Sequence, residues 1–211
     1  MSSAPHEQPA AKERVILLTL AAVQFTHVLD FMIMMPLGSH LMRVFRIDPA
    51  QFSHLVAAYG IAAALSGFAA GFVLDRFDRK HALFALFSGF SLATLACALA
   101  PGYGALLIAR LAAGAFGGVA SSVVVSMVGD VIPPARRGRA MGVVAVAFPI
   151  ASVLGVPISL VLAEKFEWHA PFFLLAAISA GVVVLIWRVL PSLRSQHAPA
   201  HPWQQMKSIL G

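Results

Sequence analysis

Gly71-Phe-Val-Leu-Asp75-Arg76-Phe-Asp78-Arg79-Lys80 places five charges in six positions, between two long apolar runs that carry none. A soluble core cannot take up a charge cluster held between stretches of that kind. The segment reads as a tight loop at a membrane surface, and its sign sets which side of the membrane it occupies.

Composition agrees with that reading. The 211-residue chain is 59% apolar and 11% charged, against roughly 45–50% and about 25% in ordinary soluble domains. Too little polar surface is left to cover a water-soluble globule, so the chain reads as a membrane protein. The net charge of +6 does not point to nucleic acid, because the basic residues sit in short loops rather than along one helix face. The single cysteine, Cys97, lies within an apolar run and can form no internal disulfide. The eight histidines show no metal-ligand spacing, and no cofactor or metal is expected. The first apolar run is too long for a signal peptide and contains Gln24, His27 and Asp30.

About 20 apolar residues span a bilayer as helix. Six runs qualify, over 15–38, 52–74, 81–100, 103–129, 140–162 and 170–190. Asp48-Pro49-Ala50-Gln51 is a start signal for the second: Asp48 caps free amides, Pro49 suits the first helical position, and Gln51 reaches back. Pro101-Gly102 makes spans three and four antiparallel neighbours through a very short turn. Lys12, Arg14, Arg76, Arg79, Lys80, Arg136, Arg137, Arg139, Arg188, Arg194 and Lys207 share one side, against Arg43, Arg46 and Lys165 on the other. The positive-inside rule therefore predicts a multi-pass protein of the cell (inner) membrane with both termini cytoplasmic. Residues 1–14 read as a cytoplasmic tail, 15–190 as an all-α transmembrane bundle, and 191–211 as a polar, proline-broken linker. Trp203, Met206 and Leu210 recur there at helical spacing, either a short surface helix or plain disorder.

Among Asp, Glu, Lys and Arg, only Asp30 and Arg110 fall deep inside spans. An ionised group near the bilayer centre costs about 2.5–3.5 kcal/mol on insertion scales, so it faces a cavity or a partner. At about 1.5 Å per residue, Asp30 lies about 22 Å from the cytoplasmic side. Arg110, on a span running the other way, lies near 20 Å on the same axis for a core of about 30 Å. The depths match, which predicts a charge pair or two charges lining one cavity. Such a pair either locks spans one and four or serves function, and its poor value for stability favours function. Gln24 and His27 continue a polar stripe along span one; His27 is read either as a proton carrier or as a hydrogen-bonded structural histidine.

Small residues recur every fourth position: Ala63-Gly67-Gly71 on span two, Gly114-Gly118-Ser122-Ser126 on span four and Ala147-Ala151-Gly155-Ser159 on span five. These ridges allow close helix packing, either static or sliding in a conformational cycle. Pro149 and Pro157 loosen the backbone of span five.

The charged loop, as Gly71-x-x-x-Asp75-Arg76-x-Asp78-Arg79-Lys80, resembles the signature loop of the major facilitator superfamily. Leu29-Asp30-Phe31 is similar to the acidic motif of that family's drug-efflux branch, and Arg110-x-x-x-Gly114 to its span-four arginine motif. Asp130 with Arg136-Arg137-Gly138-Arg139 resembles its 4–5 loop, and Gly155-Val156-Pro157 its span-five antiporter motif. Two positions depart from the pattern: Asp78 stands where the family usually has glycine, and Val156 separates Gly155 from Pro157.

The resemblance implies six helices arranged as two inverted three-helix repeats, half of a twelve-span fold whose substrate cavity lies between the halves. It implies a transporter rather than an enzyme, a proton-coupled exporter of drug-like or sugar-like small molecules working by alternating access. Asp30, Arg110, His27 and Gln24 would face the proton or substrate cavity. Gly71, Asp75, Arg76, Arg79, Lys80, Asp130 and Arg137 would form a cytoplasmic gating loop, with Gly155 and Pro157 as the span-five hinge. The implied partners are a small-molecule substrate, protons, the lipid bilayer, and a second six-helix half supplied by a longer chain, another chain or a homodimer. The alternative is a non-transporting six-helix scaffold or assembly partner.

Overall fold

A computed structural model describes residues 10–73 and 77–191. Six helical stretches in it are long and apolar enough to cross a membrane: 12–45, 49–71, 79–98, 103–131, 134–166 and 170–189. Two of them are broken rather than straight. The first consists of α1 (Ala10–Met32) and α2 (Met34–Phe45), with the interruption at Ile33. Pro36 explains the break, since it donates no hydrogen bond and its ring crowds the Met32 carbonyl four residues back. The fifth stretch follows a 3-10 turn at Pro134–Arg136 and is built of α6 (Arg137–Ala145), α7 (Ala147–Ile150), a π-helical turn at Ala151–Gly155, and α8 (Val156–Phe166). Pro149 and Pro157 each remove a backbone donor there, and the wide turn absorbs the mismatch. The other crossings are α3 (Pro49–Val73), α4 (Arg79–Ala98), α5 (Tyr103–Val131) and α9 (Ala170–Val189).

Spans one and five run beyond the expected 15–38 and 140–162. Span one starts at Ala10, inside the stretch read as tail, and ends at Phe45. The polar residues Ser39, His40 and Arg43 end the apolar run without ending the helix, because outside the hydrocarbon a helix needs no apolar surface. Local start signals match the sequence reading. The Gln51 amide donates to Asp48 Oδ1 at 2.7 Å, and the Asp48 amide donates to Gln51 Oε1 at 3.1 Å, a capping box. Asp78 caps α4, accepting from the amides of Lys80 and His81 at 3.0 and 3.1 Å. The aspartate in the expected glycine position therefore starts the helix.

The principal packing pairs are spans two with four, three with four, three with six, one with five, one with six and one with four. Exchanging one for four, two for five and three for six maps this set onto itself. Each repeat has three crossings, so the second enters from the opposite side: the repeats are inverted. The tightest contact, between spans two and four, is made by the small-residue ridges. A Cβ on Gly118 would overlap the Ala63 backbone, and one on Gly114 would overlap the Tyr59 carbonyl. Ser66 also donates to the Ala115 carbonyl at 2.8 Å across this seam. Lipid gives helices no hydrophobic reason to associate, so close approach of this kind is what holds them together.

The buried apolar side chains fall into two layers. One, around Leu20, Leu83, Phe87, Val124, Met127 and Ile186, lies towards the end of the bundle that carries Arg79 and Arg137. The other, around Leu37, Leu41, Leu55, Leu106, Trp168 and Phe172, lies towards the opposite end. Asp30 and Arg110 fall where the two layers meet, with Tyr59 and Ala113 belonging to the first and Leu29, Ile33 and Ala109 to the second.

Candidate functional site

Asp30 sits in the last turn of α1, where helix carbonyls lose their intrahelical partners. Arg110 sits two turns into α5. The structure brings them together: Arg110 Nη1 donates to Asp30 Oδ2 at 2.8 Å and to the Asp30 carbonyl at 3.1 Å. Both side chains are 0% exposed. The arginine thus answers both the carboxylate and a backbone oxygen freed by the helix end. Asp30 Oδ1 and Arg110 Nε and Nη2 are buried with no hydrogen-bond partner among the described residues. A single-point contact with three spare polar atoms is suited to exchanging partners.

His27, one turn earlier, meets Tyr59 of α3. Its Nδ1 lies 2.6 Å from the Tyr59 hydroxyl, which also lies 3.1 Å from the His27 carbonyl as a donor. The rings stack at 5.6 Å, and Phe90 closes on His27 edge-on at 6.3 Å. The Tyr59 ring in turn lies 4.3 Å from the Arg110 guanidinium carbon, a cation–π contact. Gln24, one turn earlier again, accepts from Ser121 of α5 at 3.0 Å. Gln24, His27 and Asp30 thus each meet a partner from span two or span four along one face of span one.

The sequence had pointed to Asp30, Arg110, His27 and Gln24, but not to Tyr59 or Ser121. Tyr59 is one of only two tyrosines in the chain, and it stands midway along span two. That position was the available signal.

At the basic end, Arg79 Nε approaches Asp130 Oδ2 at 3.4 Å, with side-chain exposures of 9% and 41%. This joins the start of span three to the end of span four. Arg137 Nε donates to the Ile132 carbonyl at 3.0 Å, closing the 4–5 turn on itself. Lys80 lies 5.4 Å from the Trp187 ring centre, against span six. Arg136 Nη2 meets Glu13 Oε2 at 3.2 Å, tying the 4–5 turn to the start of span one, a contact that sequence reasoning missed. Gly71 is exposed, and nothing stands within 4 Å of where its Cβ would be. Asp75 and Arg76 lie outside the described residues. Gly155 touches span one, since its Cβ would strike Leu29 Cδ1. Gly155 closes the π-helical turn, and Pro157 lies in the first turn of α8 directly after it. Among the described residues, no His, Cys, Asp and Glu group is placed to hold a metal ion.

The Major Facilitator Superfamily family model matches residues 20–210. The "Uncharacterized MFS-type transporter YceJ" of Bacillus subtilis is 29% identical over 86% of this chain and 46% of its own length. A "Probable sugar efflux transporter" of Helicobacter pylori is 26% identical over 90% of this chain and 48% of its own length. A crystal structure of a bacterial homologue of the human lysosomal transporter Spinster, inward-facing and unoccupied, superposes with a TM-score of 0.77. It is 17% identical, over 88% of this chain and 44% of the other. The peptide transporter POT in complex with sulfate gives 0.75 at 20% identity, over 92% and 42%. The chain spans about half the length of the curated relatives it matches.

Proposed function

The chain belongs to the Major Facilitator Superfamily, and from that premise we propose that it is one six-helix half of a proton-coupled efflux transporter for small molecules. The observation that carries this is the fully buried Asp30–Arg110 pair. A pair of that kind is a poor way to stabilise a bundle, because apolar side chains of similar volume do as well or better. Its position at the seam of two apolar layers gives it a different use. Protonation of Asp30 cancels one of the two charges and removes the reason for Arg110 to stay where it is. The released guanidinium then shifts the balance between two arrangements of the helices.

The name carried by the Helicobacter relatives directs the substrate reading toward sugar-like molecules, with drug-like molecules the other class this branch of the family suggests. Alternating access would rock the half against a second one. Spans two and five fit as the surface that receives it. They bury less of themselves inside the bundle than the other four spans do, and the repeat symmetry relates them. The second half would come from the same chain, a partner chain or a second copy. Arg79 and Asp130, with Asp75 and Arg76, would act as a latch at the cytoplasmic end.

The test is substrate-driven proton movement in vesicles holding the complete transporter. Asp30→Asn and Arg110→Ala are each expected to abolish it. If both variants keep coupled proton movement at the wild-type rate, the proposal fails and a non-transporting scaffold role becomes the better reading.

A further inference from the structure

We infer that Tyr59 is a positioning residue for the Asp30–Arg110 pair, joining the arginine to His27 through one side chain. The inference deepens the transport reading above and rests on it. The tyrosine offers two different surfaces to two different partners. Its ring face lies 4.3 Å from the guanidinium carbon, leaving the guanidinium edge free for Asp30. Its hydroxyl reaches His27 Nδ1 at 2.6 Å and the His27 carbonyl at 3.1 Å.

Those two acceptors give the hydroxyl two complete hydrogen-bond arrangements. With Nδ1 unprotonated, the hydroxyl donates to Nδ1. With Nδ1 protonated, the ring N–H donates to the hydroxyl, which then donates to the carbonyl already in reach. His27 thus changes its proton arrangement without releasing Tyr59, and the ring over Arg110 stays in place.

Span four is shaped around this side chain. A Cβ on Gly117 would stand 2.5 Å from His27 Nδ1 and 3.1 Å from the Tyr59 hydroxyl, and one on Gly114 would overlap the Tyr59 carbonyl. Two glycines one turn apart keep the space in which the tyrosine meets both partners. Phe31 on span one flanks the ring, with centroids 5.8 Å apart. A space-filling aromatic would need none of the hydroxyl contacts.

The experiment is nitrogen-detected NMR of the full chain in lipid nanodiscs, comparing wild type with Tyr59→Phe and Tyr59→Leu. Tyr59→Phe keeps the ring and removes the hydroxyl. It is expected to shift the His27 Nδ1 resonance and change the tautomer ratio, while Arg110 keeps separate Nη resonances from a guanidinium that does not rotate freely. Tyr59→Leu is expected to change the His27 signals and also merge the Arg110 Nη resonances. If Tyr59→Leu fails to fold, Tyr59→Met replaces it, being unbranched and closer in volume.

A tyrosine that merely fills space would lower the melting temperature without moving His27 in Tyr59→Phe. Wild-type His27 signals in that variant overturn the inference, as do separate Arg110 resonances in the variant lacking the ring. The transport reading fails by a different result: coupled proton movement that survives both Asp30→Asn and Arg110→Ala leaves the NMR outcome standing and removes only its functional meaning.

Discussion

Arg110 holds Asp30 through one nitrogen, with Nη1 donating to Oδ2 at 2.8 Å and to the carbonyl of the same residue at 3.1 Å. The alternative, a two-nitrogen fork on the carboxylate, would be stronger and more rigid. A single-nitrogen contact parts at lower cost, and it leaves Nε and Nη2 without partners among the described residues. Such a contact suits the exchange of partners that the proposed proton coupling needs.

Removing one member of the pair leaves an uncompensated buried charge. Arg110→Ala is expected to destabilise the bundle by about 3–5 kcal/mol. The double replacement Asp30→Leu with Arg110→Met is expected to be far milder, within about 1 kcal/mol of wild type, since apolar substitutes for a whole buried pair are often neutral or better. Denaturant titration in detergent micelles measures both. A double variant as unstable as Arg110→Ala would show that the pair itself, not the stranded charge, supplies the stability.

The helix glycines predict a graded series. Gly118→Ala forces a Cβ onto the Ala63 backbone, which has no side chain to swing aside, so a loss of about 1–3 kcal/mol is expected from overpacking. The nearest atoms to a Gly89→Ala Cβ belong to the Phe116 ring, which can turn away, so this change should cost less. Gly181→Ala meets nothing within 4 Å and is expected to be neutral or slightly stabilising, as alanine is the better helix former. Melting temperatures in one lipid composition rank the three, and a Gly118→Ala as stable as Gly181→Ala would sink the account.

How far the sequence carried this reading depends on the kind of signal. Depth alone brings Asp30 and Arg110 to one level, as a pair or as two charges lining one cavity, because ionised groups are rare in spans and helix rise is constant. The Asp48–Gln51 box was legible because capping is local chemistry within four residues. Tyr59 was not, since its contact depends on how span two is rotated about its axis, and neither residue counting nor hydropathy reports that rotation. The Arg136–Glu13 pair was hidden for a similar reason: it joins segments that meet only once spans one and five have packed. The length of spans one and five was underestimated because hydropathy marks where the apolar run ends, and a helix continues past that point.

Asp130 should matter more to conformational balance than to stability. It lies near the C-terminal end of α5, where the helix dipole disfavours an anion, and the 3.4 Å contact with Arg79 offsets this while 41% of its side chain is exposed. Asp130→Asn removes the attraction and the dipole penalty together, so a stability change under about 1 kcal/mol is expected. The transport rate of the complete protein is expected to fall severalfold, because the proposed latch is lost. Unchanged transport would leave the loop charges with a purely topogenic role.

Glu167 holds a backbone conformation meant for glycine, with φ 81° and ψ 165°. Side chains with a Cβ pay about 1–3 kcal/mol in that region. Its contact with His169 is 3.6 Å long, with the glutamate side chain 80% exposed, so little is lost by removing it. Glu167→Gly is expected to raise the melting temperature, and a fall would mean the carboxylate holds the turn between spans five and six.

The last test concerns the contact between spans one and five beside the charge pair. Leu29 Cδ1 occupies the space in which a Gly155 Cβ would stand, next to the π-helical turn at Ala151–Gly155 and one residue from Asp30. Gly155→Ala is expected to cost about 1 kcal/mol by overpacking, less than Gly118→Ala, because Leu29 Cδ1 is the end of a side chain that can shift. Leu29→Ala is costly on its own, since Leu29 is buried, but should cost less beside Gly155→Ala than alone, giving a coupling energy of about 0.5–3 kcal/mol in a double-mutant cycle. Because Leu29 and Asp30 share a helix turn, the single variant should also alter the Asp30 carboxyl infrared band, and the double variant should restore it. Additive losses with an unmoved band would separate the span-five bend from the pair, leaving Gly155 a packing residue alone.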